Sequence, residues 1–219
     1  MRIPFHQLIT FARRIEFDEA IRRRTWQPDE IPFSDTHGFH VYSDLDLRLV
    51  IAAAEDAKTA YTNLQILRAY ATAAEAIGRS SGLRVLEVQG QRLHLFRESN
   101  APRRDAQEVI VGCKMFHHLA TAKIREIKQD LPFTIRMAAD YGRAILLRSV
   151  GEDISESIVS LGNAANRPAK KLARDVTQAG VPAAHLAFNE RAFDGDPSAS
   201  PMWTLINLTE TSPVTKSLP

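Results

Sequence analysis

The 219-residue sequence reads as an α+β sandwich of the ferredoxin-like kind, an antiparallel-rich sheet with helices on one face and an N-terminal helical extension. Three observations point there. Short apolar runs come in pairs around tight turns, as in "LRVLEVQGQRLHLFRE" with Gln89-Gly90-Gln91 at its centre. Two long stretches carry apolar residues at helical spacing. The order is strand, helix, hairpin, helix, hairpin, strand, helix, strand, which pairs strands and leaves helices to cover them.

Each element has its own signal. Residues 1–37 form an extension: "MRIPFHQLITFARRIEF" places Leu8, Ile9, Phe11, Ala12 and Ile15 on one helical face, and a charged, proline-containing arm follows. The main domain is expected over 38–210. "GFHVYSDLDLRLV" alternates as a strand does. From Ala53 to Gly78 the chain is Ala-rich with Leu64, Leu67, Ala71 and Ala74 in register for a long helix, which Gly78 to Gly82 ends. "RDAQEVIVGCKMFHHLATAKIREI" is a second long helix. "FTIRMAADYGRAILLRS" reads as strand, tight turn at Gly142, strand. "SIVSLG" is a short strand, and "NAANRPAKKLARDVTQAG" a helix closed by Gly180. "AHLAFNE" and "WTLINLTE" supply the last strands, and 211–219 is a frayed tail.

Composition limits the function classes. A net charge of +2 suits a phosphate-bearing small ligand and falls short of a nucleic-acid-binding signature. The single cysteine, Cys113, excludes an intrachain disulfide and fits a reducing, cytoplasmic compartment. No apolar run approaches the ~20 residues of a membrane span. Arg13, Arg14 and Glu16 interrupt any signal-peptide core. His117-His118 has no partner at i+4, so no helical zinc pair is formed. The clusters Arg22-Arg23-Arg24 and Arg103-Arg104 read as solvated faces.

The stretch "SIVSLGNAANRPAKKLA" carries most of the chemistry. A strand end turns at Gly162 into a helix, with Asn166 one turn inside and Lys170 one turn further on the same face. An amide and an ammonium so aligned can hold a sugar and a phosphate. An Ala-rich helix with solvated lysines is the plainer account of the same letters.

This run resembles the signature of class III nucleotide cyclases, in which a strand ends in Gly and an Asn-x-Ala-Ala-Arg helix follows. Gly162, Asn166 and Lys170 match, with Lys for Arg. "FTIRMAADYGRAILL" is similar to the family's strand–His-Thr-Gly–strand hairpin, with Asp140-Tyr141-Gly142 in that place, and "LRVLEVQGQRLHLF" resembles the hairpin that bears a metal aspartate. The likeness spans about residues 38 to 175.

The resemblance implies a homodimer that converts a nucleoside triphosphate to a 3′,5′-cyclic nucleotide and pyrophosphate, with Mg²⁺ or Mn²⁺ held by aspartates. Asn166 would orient the ribose and Lys170 stabilise the pentavalent phosphorus. Tyr42, Val159, Ser160, Gly162 and Lys171 would complete the nucleotide site. Asp44, at a strand end, is the expected metal ligand with Asp46 as a second; Asp35, in "DTHGF", is a rival to Asp44 by letters. Gln91 stands where the family's second aspartate belongs, and a neutral amide is a poor ligand for a hard cation. Val159 cannot read an adenine edge by hydrogen bonding, and with the "AANRPAKKL" helix the chain resembles the pyrimidine cyclases of bacterial antiphage systems, which implies a cyclic CMP or cyclic UMP product. The alternative is a pseudocyclase that binds a nucleotide and regulates a partner.

Overall fold

The computed structural model describes residues 33–47, 57–151, 154–175, 184–193 and 200–209. The expected N-terminal helix and the tail at 211–219 lie outside them. The elements run β1 (Phe33–Asp46), α1 (Ala57–Ser81), β2 (Arg84–Gln89), β3 (Arg92–Glu98), α2 (Pro102–Ile127), β4 (Thr134–Gly151), β5 (Ile154–Leu161), α3 (Asn163–Asp175), β6 (His185–Asn189), a short 3₁₀ turn (Glu190–Phe193) and β7 (Trp203–Asn207). The α+β class is therefore as the sequence predicts. Strand β1 begins at Phe33, five residues ahead of the expected domain start at Gly38.

The sheet has seven strands in the order β2-β3-β1-β4-β6-β7, with β5 added to β4 off that path. β4 and β6 run parallel; β1–β3, β2–β3, β4–β5 and β6–β7 are antiparallel.

Strand alternation builds the core. Phe39, Val41 and Leu45 of β1, Leu93 and Leu95 of β3, Met137 and Ala139 of β4, and Leu186 and Phe188 of β6 turn to one face. There they meet Ile66, Tyr70 and Ala73 of α1 and Val109, Ile110 and Phe116 of α2. Burying each large side chain of this kind is worth about 1.5–3 kcal/mol. Tyr70 also donates its hydroxyl to Ser43 Oγ at 2.6 Å, which ties α1 to β1 beside Asp44. Cys113 is fully buried in this layer, and burial pushes its thiol up to about 12. The shorter α3 lies against the other face, where Leu172 packs on Ala138 and Ala187, so the helices are not confined to the one face the sequence suggested.

One expected element is corrected. Gly142 marks no turn: β4 continues through it as a single 18-residue strand. The two halves of β4 take different neighbours, β6 at Met137–Ala139 and β5 from Ile145 onward, so the chain keeps pairing across the glycine. A Cβ at Gly142 would stand 3.1 Å from the Ala164 methyl. The glycine thus admits the start of α3 to close approach, a second use of Gly inside a strand. The reversal comes later, between β4 and β5.

Among the described residues, no helix is long and apolar enough to cross a membrane.

Candidate functional site

Alternation on β1 that sends Phe39, Val41 and Leu45 to the helices sends His40, Tyr42, Asp44 and Asp46 to the opposite face. β3 lies alongside in register, Tyr42 opposite His94 and Asp44 opposite Arg92. Leu45 N donates to Gln91 O at 3.0 Å, so the β2–β3 turn closes on the end of β1. The result is a cleft of about 400 Å³ lined by Asp44, Asp46, Gln89, Gln91, Arg92 and Arg136. Asp44 and Asp46 are thus brought together with Gln91. Asp35 lies at the other end of the same strand.

Both carboxylates already face a cation. Arg92 donates Nε to Asp44 Oδ1 at 2.7 Å and Nη2 to Oδ2 at 2.8 Å, a bidentate fork. These hydrogen bonds hold the Arg92 guanidinium above its ordinary value. Arg136 donates Nη2 to Asp46 Oδ2 at 3.3 Å. Its Nε is buried without a hydrogen-bond partner. Among the described residues, no group of three or more His, Cys, Asp or Glu side chains is placed to hold a metal. The donor set does not fit a two-ion site: both oxygens of one carboxylate are engaged by a guanidinium, and the neighbouring turn offers an amide.

The helix α3 supplies the second group of predicted residues. Gly162 has φ +152°, and a Cβ there would meet Arg143 O at 2.8 Å. The strand-to-helix turn therefore needs glycine. Asn166 N donates to Gly162 O at 3.1 Å, closing the first helical turn. Ala164, Ala165, Pro168 and Leu172 are buried, whereas Asn166 and Lys170 are exposed one turn apart. Lys171 is half-buried beside them. No residue of α3 lines the Asp44 cleft.

Sequence reasoning missed the residue that seats this helix. Arg167 turns inward, and its Nη1 stands 3.7 Å from Asp140 Oδ2. Asp140 is fully buried in β4 and accepts from Asn189 Nδ2 and from the Tyr141 N–H, each at 2.8 Å, on Oδ1. Desolvation raises its pKa to about 6, against those hydrogen bonds and the Arg167 charge. Asn189 in turn accepts from Met202 N at 3.0 Å, joining β6 to the start of β7. The signal was present in "AADYG", but it read as a turn.

Tyr42 and Ser160, distant in sequence, come together. The Ser160 hydroxyl is buried next to the Tyr42 phenol without a well-formed hydrogen bond to it. Burial, then the Glu87 carboxylate, raises the Tyr42 pKa. Tyr42 stacks on His94 with ring centroids 4.3 Å apart. His94 Nε2 and His40 Nδ1 share a hydrogen bond of 3.0 Å. Burial lowers these histidines to about 3 and about 4, and the His40 ring adds to the His94 shift. Val159 lies on β5 opposite Leu147.

A larger hollow of about 1300 Å³ lies between α1, α2 and the β2–β3 hairpin, lined by residues such as Arg79, Arg97, Glu108 and Met115. It holds none of the predicted site residues, and Arg97 within it is paired with Glu108 and with Ser81 O.

No protein-family model and no curated protein matches the chain. Solved structures do. The adenylyl cyclase CyaB from P. aeruginosa superposes with a TM-score of 0.58 at 14% identity, over 80% of this chain and 96% of that one. A class III adenylyl cyclase-like ATP-binding protein from Pseudomonas aeruginosa gives 0.59 at 13% identity, over 74% of this chain and 35% of the other. The guanylyl cyclase Cya2 gives 0.55 at 13% identity, over 81% and 95%. The chain has the fold of class III nucleotide cyclase domains.

Proposed function

We propose that the protein binds a nucleoside triphosphate in a composite site made by two copies of the chain, and that it works as a nucleotide-binding regulatory module of cyclase fold. The observation that carries the non-catalytic half is the Asp44–Arg92 fork beside Gln91. A carboxylate whose two oxygens are both satisfied, next to an amide, is poorly disposed to hold two divalent ions. Support for the ligand comes from the fold and from α3, where Asn166 and Lys170 present an amide and an ammonium on one exposed face. Support for two copies is the separation within one copy, since α3 contributes nothing to the cleft. In the dimer, Asn166 and Lys170 of one copy face the ribose and phosphates, and the Asp44 cleft of the other closes the site. Tyr42 and Ser160 lie on the sheet face where a base would rest.

A second reading is favoured by that same face of α3. Asn166 and Lys170 have the spacing for ribose orientation and charge stabilisation at phosphorus, and such a protein would make a 3′,5′-cyclic nucleotide. Val159 in place of a hydrogen-bonding residue directs that reading to a pyrimidine product, and only through such a product to antiphage signalling. Lys170 offers a point charge without the fork of an arginine, so turnover would be slow.

One experiment separates the two. Purified protein is incubated with ATP, GTP, CTP and UTP in turn, with Mg²⁺ or Mn²⁺, and both binding and products are measured. Binding of at least one triphosphate without pyrophosphate release is expected. A cyclic product identified by mass spectrometry establishes the second reading and names the base. Absence of binding for all four removes both.

A further inference from the structure

We infer that Arg92 and Arg136 are this protein's built-in cations, so that the cleft at the end of β1 takes the phosphates of its ligand without a divalent ion. The inference rests on the reading above that a nucleoside triphosphate is the ligand.

Asp44 and Asp46 alone would give the cleft a charge of about −2 and draw a metal to it. Arg92 and Arg136 line the same cleft and bring it to neutrality. A divalent ion arriving at Asp44 must displace a guanidinium held by two hydrogen bonds of 2.7 and 2.8 Å. At Asp46 it meets Arg136, whose side chain is 89% buried.

A guanidinium has five N–H groups in a fixed plane. Arg92 uses two of them on Asp44, and its side chain is 34% exposed at the cleft, which leaves an open donor edge for phosphate oxygens. Arg136 lines the same cleft, and its Nε–H is buried without a hydrogen-bond partner. A buried donor of that kind is costly unless something accepts from it. A phosphate oxygen is such an acceptor, and guanidinium forks match phosphate geometry as an ammonium does not. Asp44 and Asp46 then act as positioning residues that fix the two guanidinium planes.

Because the base is unidentified, the probe is inorganic tripolyphosphate, titrated calorimetrically into full-length protein in EDTA and again in Mg²⁺. Mn²⁺ alone is titrated in parallel by electron paramagnetic resonance. Binding in EDTA at least as tight as in Mg²⁺ is expected, with no stoichiometric Mn²⁺ site. Arg92→Ala should weaken tripolyphosphate by about ten-fold or more, as the loss of a charge-assisted hydrogen bond predicts. Arg92→Lys keeps the charge and loses the fork, and it too should weaken binding, so the test survives if the alanine variant does not fold. Binding that requires Mg²⁺, or one Mn²⁺ held by the wild-type protein, overturns the inference and leaves the nucleotide reading standing. If neither tripolyphosphate nor any of the four nucleoside triphosphates binds in either buffer, the ligand class is wrong and both fall.

Discussion

Burial sets the charge of His40, His94 and Asp140 on the sheet face opposite the two long helices, and the signs oppose each other. His40 and His94 are lowered to about 4 and about 3 from 6.5, so the folded state binds fewer protons than the unfolded chain below pH 6.5. Their contribution is full above that pH and is lost as pH falls toward 4. Asp140 is raised from 3.8 to about 6, so its contribution is full below 3.8 and is lost as pH rises through 6. Two histidines outweigh one aspartate, and the urea midpoint should fall between pH 7 and pH 5. Asp140→Asn removes the compensating group and should steepen that fall; a shallower one contradicts the assignment. Gly162→Ala is the other prediction at this scale. A forced φ and a clash with Arg143 O should cost about 1–3 kcal/mol, read as a lowered Tm. The places of Gly162, Asn166 and Lys170 were legible because they follow one another at intervals of four residues, about one helical turn each. The Asp44–Arg92 fork was not, because its partners are 48 residues apart and meet only when β1 and β3 pair.

Among the elements, α1, α2 and the β2–β3 hairpin were readable because their periodicities are long or bounded by turn residues. β4 was misread at Gly142. A glycine in a strand has two physical uses, turning the chain or admitting a neighbour, and only the contact with Ala164 decides between them. That decision has a consequence for α3. Its inner side is fixed by Leu172, by the close approach at Gly142 and by the Arg167–Asp140 pair, and Asn166 and Lys170 stand exposed on its outer side. Asn166→Ala and Lys170→Ala should each change stability by less than about 0.5 kcal/mol in thermal unfolding, as exposed substitutions do. The same variants should weaken triphosphate binding by about ten-fold. A loss of stability matching the loss of binding would show α3 to be a packing element only.

For the whole molecule, the ferredoxin-like class followed from the order of elements. The placement of α3 on the second face did not, since sequence order does not say which side of a sheet a connection crosses. In one copy the cleft and the outer side of α3 remain apart. A site shared across a two-fold axis makes a complementation test available. Asp44→Ala and Lys170→Ala proteins, mixed after mild unfolding and refolded together, should recover about a quarter of the wild-type nucleotide sites, because half the dimers are mixed and each restores one site of two. No recovery over the separate variants would place both residues in the same copy's site. The sealed thiol of Cys113 then offers a practical route to the dimer itself. The chain holds no other sulfhydryl, and this one is shielded and protonated at neutral pH. A cysteine introduced at Lys170 or Gln91 would take a spin label or fluorophore alone, with no background to remove. The spacing between labels on two copies could then be read as a ruler laid across the axis.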